Sequence, residues 1–103
     1  MYKKIVHYKT CIDEKRYYDA HEVLEEAWFP RRFEEHHEVK LLKGFINAAV
    51  SFELHKRGRT DQSKKVWKNY LKYRPLLQKI DTHKKEFHAL SRYIESIYMK
   101  KHH

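Results

Sequence analysis

Gly44, Gly58, Pro30 and Pro75 are the only glycines and prolines in 103 residues. A chain built of strands needs frequent turns, and tight turns lean on Gly, Pro and Asn-Gly pairs. None of that punctuation recurs here at strand spacing. Lys, Arg, Glu and Leu, all good helix formers, fill much of the rest. The expected fold is all-α, a compact bundle of about five helices in a single domain over residues 1–101.

Apolar residues at helical spacing divide the chain into segments. Ile5, Tyr8 and Ile12 share a face of a first helix, expected over Tyr2–Lys15. Asp19 is placed to cap a second, Ala20–Phe29, whose Ala20, Val23, Leu24, Ala27 and Trp28 follow the spacing of a core-facing stripe. Pro30 ends it, because its ring disfavours helix at the residue before. A third helix, Glu35–Arg57, is apolar around most of its circumference, which places it at the centre of the bundle, and Gly58 stops it. A fourth runs Asp61–Tyr73 until Pro75 breaks it. A fifth follows a cap at Asp81 or Thr82 and turns Phe87, Leu90, Ile94 and Ile97 inward.

Cys11 is the only cysteine, so no disulfide can form within the chain. The polar start Met1–Lys4 has no apolar run behind it, which argues against a signal peptide, and Leu41–Leu54 is too short to cross a bilayer. A reducing cytoplasm is the expected setting, with no membrane partner. His102 and His103 have the look of a tag remnant and are left out of functional reasoning.

The second helix reads Tyr17-Tyr18-Asp19-Ala20-His21-Glu22-Val23-Leu24-Glu25-Glu26-Ala27-Trp28. This resembles the signature of the bacterial domain-of-unknown-function family numbered 309: an aromatic, an acidic residue, then Ala-His-Glu-x-Leu-Glu-x-x-Trp. Lys43-Gly44-Phe45-Ile46-Asn47-Ala48-Ala49, with His55-Lys56-Arg57-Gly58, is similar to that family's second block. The likeness spans about residues 5–80. Asn47 stands where a Gln is usual, Arg16 where the first turn often has Gly, and the fourth helix lacks the usual Gly-Ala pair. The resemblance implies a small helical bundle and brings no established activity.

Chemistry must therefore be sought in the side chains. His21 and Glu25 lie four apart on one helix flank, within reach of each other, with Trp28 alongside. Lys40, Gly44, Asn47, Ser51 and His55 form a polar strip along the otherwise apolar third helix. Antiparallel packing would bring His55 and Ser51 to His21, and Asn47, Gly44 and Lys40 to Glu25 and Trp28. Three readings fit such a constellation. It can be a buried network whose members satisfy one another. It can line a ligand cleft in which Glu25 orients His21 for proton exchange, a metal-dependent or hydrolase-like catalytic pair in its strongest form. It can also supply metal ligands from His21, Glu25 and His55, or from Glu34 and His37, although di-iron bundles need two Glu-x-x-His motifs and further glutamates. No metal and no cofactor is expected. There is no glycine-rich phosphate loop, Gly-x-Ser-x-Gly elbow or Cys-x-x-Cys pair.

Charge points elsewhere. Residues 1–55 hold 9 Lys/Arg against 10 Asp/Glu, while residues 56–103 hold 14 against 4, giving the net +9. Lys64, Lys65, Lys68 and Lys72 follow one face of the fourth helix, with Tyr73, Tyr93 and Tyr98 interleaved nearby. Such a face can be simply solvated, can bind phosphates or nucleic acid in a salt-dependent way, or can meet the acidic half of a second copy. The leading expectation is a small cytoplasmic binding or interaction domain. The acid–base or metal-dependent enzyme is the alternative, and a phosphate- or nucleic-acid-binding accessory protein comes third.

Overall fold

A computed structural model describes residues 1–102; His103, one of the terminal pair, lies outside the described residues. Five α-helices form and, among the described residues, no strand: α1 (Tyr2–Asp13), α2 (Tyr17–Trp28), α3 (His37–Lys56), α4 (Thr60–Tyr73) and α5 (Lys84–Lys101). Short 3-10 turns extend α2 at Phe29–Arg31 and α4 at Arg74–Gln78. Of the described helices, none is long and apolar enough to cross a membrane.

The third helix is central, as its composition requires. It packs against α2, α4, α5 and the Arg74–Gln78 turn, and buries Leu41, Leu42, Phe45, Ala48, Ala49 and Phe52 completely. Aromatic rings radiate from it. Phe45 stacks on Phe87 at 5.8 Å and meets Tyr70 at 5.7 Å, while Phe52 lies against Tyr17 and Trp67. Trp67 in turn stacks on Tyr98 at 4.0 Å, which anchors the far end of α5. The buried phenol of Tyr8 donates to the Phe45 carbonyl at 2.8 Å, fixing α1 to α3 without an orphaned hydroxyl. Burial pushes that phenol well above its ordinary range.

α1 ends at Asp13 and α3 starts at His37, each two residues inside expectation, and the starts of α2 and α5 differ for identifiable reasons. α2 begins at Tyr17, before the expected Asp19 cap, because Tyr17 is itself core, 3% exposed. Arg16 takes the cap position, and its guanidinium spans Glu14 (2.7 Å) and Asp19 (3.0 Å), leaving Asp19 in the first turn, where a carboxylate suits the positive helix end. α5 starts at Lys84 instead of next to Asp81 or Thr82, behind His83, whose φ of 54° turns the chain. Gly58, at φ 79°, ends α3 as expected.

Candidate functional site

His21 and Glu25 meet. The imidazole Nε2 stands 2.6 Å from a Glu25 oxygen, on the flank of α2 facing outward. Nε2 donates to that carboxylate, and the other ring nitrogen, Nδ1, is buried with no hydrogen-bond partner. The pair borders a shallow depression of about 380 Å³ on its outer side, where Tyr18, Glu22, Glu26 and Phe29 complete the rim. Glu26 is engaged by Lys4 at 2.6 Å, and that hydrogen bond and charge hold its carboxyl below the usual range.

The polar strip of α3 does not converge on this pair. Gly44 sits against Tyr73, Asn47 accepts from Asn69 at 3.2 Å, and Ser51 and Ser63 each donate to the other's carbonyl at 2.8 and 2.7 Å. All these partners belong to α4, so the strip is the seam along which α3 and α4 pack. His55 lies at its end with its ring 4.7 Å from His102, whose Nε2 is 3.2 Å from the Ser63 hydroxyl. The expected approach of Ser51, Asn47 and His55 to α2 is thus corrected. Periodicity had shown that these residues share a face, and the neighbour on that face is α4. His55 is accordingly not beside His21 and Glu25. Glu34 pairs with Arg31, and no group of three His, Cys, Asp or Glu side chains converges among the described residues.

A second opening lies where four pieces of chain meet. The end of α2, the loop after it, the first turns of α3 and the last turn of α4 enclose a cleft of about 440 Å³. Trp28 and Tyr73 supply its aromatic walls, and Lys40, Lys43 and Lys72 bring ammonium groups to it. Lys43 lies over the Trp28 ring at 4.2 Å and Lys72 over Tyr73 at 5.3 Å, cation–π placements that hold each charge near an apolar surface. Neither lysine makes an ion pair among the described residues, whereas Lys40 is paired with Glu35 at 3.1 Å. At the mouth, Arg32 stacks over Phe29 (3.7 Å) and Phe33 (4.5 Å), and Phe33 is 84% exposed.

Gly44 shapes this cleft from beneath. A Cβ there would stand 3.0 Å from the Tyr73 Cβ, so the bare glycine lets the end of α4 settle onto α3. Trp28 of α2 and two strip residues, Lys40 and Gly44, therefore share a site with Lys72 of the basic face. Lys64, Lys65 and Lys68 lead toward it along exposed positions of α4. Tyr73 enters from the basic face, whereas Arg32, Phe33 and Lys43 are cleft residues that the sequence reading does not place in a site. The visible signal was Lys43, a charge set into the apolar circumference of α3 one residue before its glycine.

Behind the cleft, Glu95 of α5 accepts from Arg74 (2.6 Å), Tyr70 (2.6 Å) and Ser91 (2.8 Å). Burial alone would raise the Glu95 carboxyl, but these three donors prevail and hold it below its ordinary value. The same burial, with the bond to Glu95, raises the Tyr70 phenol. Tyr73 and Lys72 are thereby carried on a helix end tied to α5.

A family model described as a domain of unknown function (DUF309) matches residues 5–78. That span takes in α1 from Ile5 onward, all of α2 to α4, the His21–Glu25 pair and every residue lining the cleft. No curated protein and no solved structure matches the chain.

Proposed function

The chain belongs to the DUF309 family, and from that premise we propose that it is a small cytoplasmic binding domain whose ligand is an anion held in the Trp28–Tyr73 cleft. One observation carries this reading. Lys43 and Lys72 approach one opening from two different helices, each seated on an aromatic ring and neither making an ion pair among the described residues. Two like charges converging on a partly apolar cleft repel each other at a cost, which an anionic ligand would relieve. The lysines along α4 extend the field and would steer such a ligand inward.

The test uses inorganic pyrophosphate as probe, by calorimetry on the full chain at low and raised salt. Binding is expected at low ionic strength and should weaken as salt screens it. Lys43→Met and Lys72→Met together should abolish it while leaving the melting temperature near that of the parent. Absence of binding, or equal binding by the double variant, would overturn the proposal.

A second reading keeps catalysis at His21 and Glu25, favoured by their 2.6 Å contact beside an outer depression. In it Glu25 orients the imidazole and His21 exchanges protons with a hydrolysable substrate. His21→Ala should then abolish turnover of an ester or phosphoester panel without unfolding the chain. A variant that unfolds, or a panel turned over equally by both proteins, counts against it.

A further inference from the structure

Resting on the cleft reading, we infer that the anion is a nucleotide, a phosphate-bearing ligand whose planar base stacks on Phe33. The mouth of the cleft carries an unfinished stack. The Arg32 guanidinium lies over the Phe29 ring at 3.7 Å and over the Phe33 ring at 4.5 Å. A ring covered on one side by a guanidinium and still 84% exposed has its other face open to solvent. Every base offers a π-face to such a platform, and stacking tolerates any of them. A ring that already stacks with a guanidinium can take one more planar group on its open face.

The interior of the cleft suits the other half of the ligand. Lys43 and Lys72 line the same opening from α3 and α4, each over its own aromatic ring. A volume of about 440 Å³ is far more than a lone phosphate or carboxylate fills and falls within the range of small-molecule pockets, roughly 300–1,000 Å³. Glu35, 87% exposed at the rim, adds an acceptor for hydroxyl or amino donors, which a nucleotide has and a bare polyanion lacks. A base on Phe33 with its phosphates toward Lys43 and Lys72 is the arrangement these residues favour.

The experiment is a titration of the full chain, by calorimetry with amide-shift mapping, against adenosine, ADP, inorganic pyrophosphate and a short 5′-phosphorylated single strand. ADP should bind about tenfold tighter than pyrophosphate, the gain expected from one stacked base. Phe33→Ala should erase that gain, so that ADP and pyrophosphate bind alike, without unfolding the chain, since the ring is 84% exposed. Lys72→Met should weaken both ligands. Equal binding of ADP and pyrophosphate would overturn the nucleotide inference while the anion cleft stands. If neither binds, or shifts map away from Trp28 and Tyr73, the cleft reading itself fails and the inference with it. Adenosine binding as tightly as ADP would also overturn it. The strand identifies the source: tighter than ADP indicates a nucleic-acid terminus, weaker indicates a free nucleotide, and either result upholds the inference.

Discussion

Gly44 and Tyr73 meet so closely that a Cβ on residue 44 would lie 3.0 Å from the Tyr73 Cβ, a few tenths of an ångström inside ordinary contact. The obstructing atom is next to the α4 backbone, so it cannot swing aside as the tip of a long side chain could. Gly44→Ala should lift the end of α4 from α3. Overpacking of this kind typically costs about 1–3 kcal/mol, of which up to about 1 is returned by the better helix propensity of alanine. A net loss of about 1 kcal/mol in urea denaturation is expected, together with weakened anion binding. Unchanged stability and binding would show that α4 does not depend on this contact.

The bond from Tyr8 to the Phe45 carbonyl is buried and crosses 37 residues of sequence. Tyr8→Phe keeps the ring and its edge contact with Phe45 while removing the donor. A loss of about 0.5–1.5 kcal/mol is expected, measured by chemical denaturation with an unchanged slope.

Glu95 makes stability depend on acid in a defined direction. Its carboxyl is held below the ordinary 4.5 in the folded chain by Arg74, Tyr70 and Ser91 against the opposing effect of burial. Its contribution is therefore complete above about pH 4.5 and is lost as pH falls through the lowered folded value. Glu95→Gln should flatten that part of the acid-unfolding curve. A curve of the same shape in both proteins would mean that other carboxylates govern acid unfolding.

His102 acts in a higher window. Burial first, then repulsion from His55, Lys64 and Lys101, keeps its imidazole below 6.5. A base that is harder to protonate when folded gives its full stabilisation above that value and loses it as pH drops through the folded one. The Tyr98–His102 contact at 4.3 Å should loosen over this range. Tyr98 ring resonances that follow the His102 titration, and cease to do so in His102→Ala, would confirm it.

His21→Ala distinguishes structure from chemistry at the α2 pair. With His21 24% and Glu25 42% exposed at the side chain, a stability loss below about 1 kcal/mol is expected, as for other partly exposed pairs. A loss of several kcal/mol would identify the pair as a folding device.

Much of this architecture was legible in the residues. The scarcity of Gly and Pro announced helices, the all-round apolar surface of α3 announced its central place, and Gly58 and Pro75 marked ends the structure keeps. The site was harder to read, for a physical reason. A helical wheel reports which residues share a face and is silent about which neighbour covers it. Gly44, Asn47 and Ser51 were correctly grouped and given the wrong neighbour, since α2 and α4 both flank α3. The cleft escaped because its residues come from four separate pieces of chain, and no periodicity links Trp28 to Lys72. Asp19 lost its expected capping place because the burial of Tyr17 outweighs a local capping preference.

The reciprocal serine bonds of the α3–α4 seam have a consequence in time. Ser51 and Ser63 are only 12 positions apart, and the helices that carry them are joined by Arg57, Gly58 and Arg59 alone. Closing so short a loop forfeits little chain entropy, and contacts that are local in sequence form fastest. The hairpin of α3 and α4 is then the natural nucleus, while α5, which must reach back to α1 across most of the chain, docks late. In this order of events the Gly44–Tyr73 floor is laid during the earliest step of folding, and Trp28 closes over it afterwards.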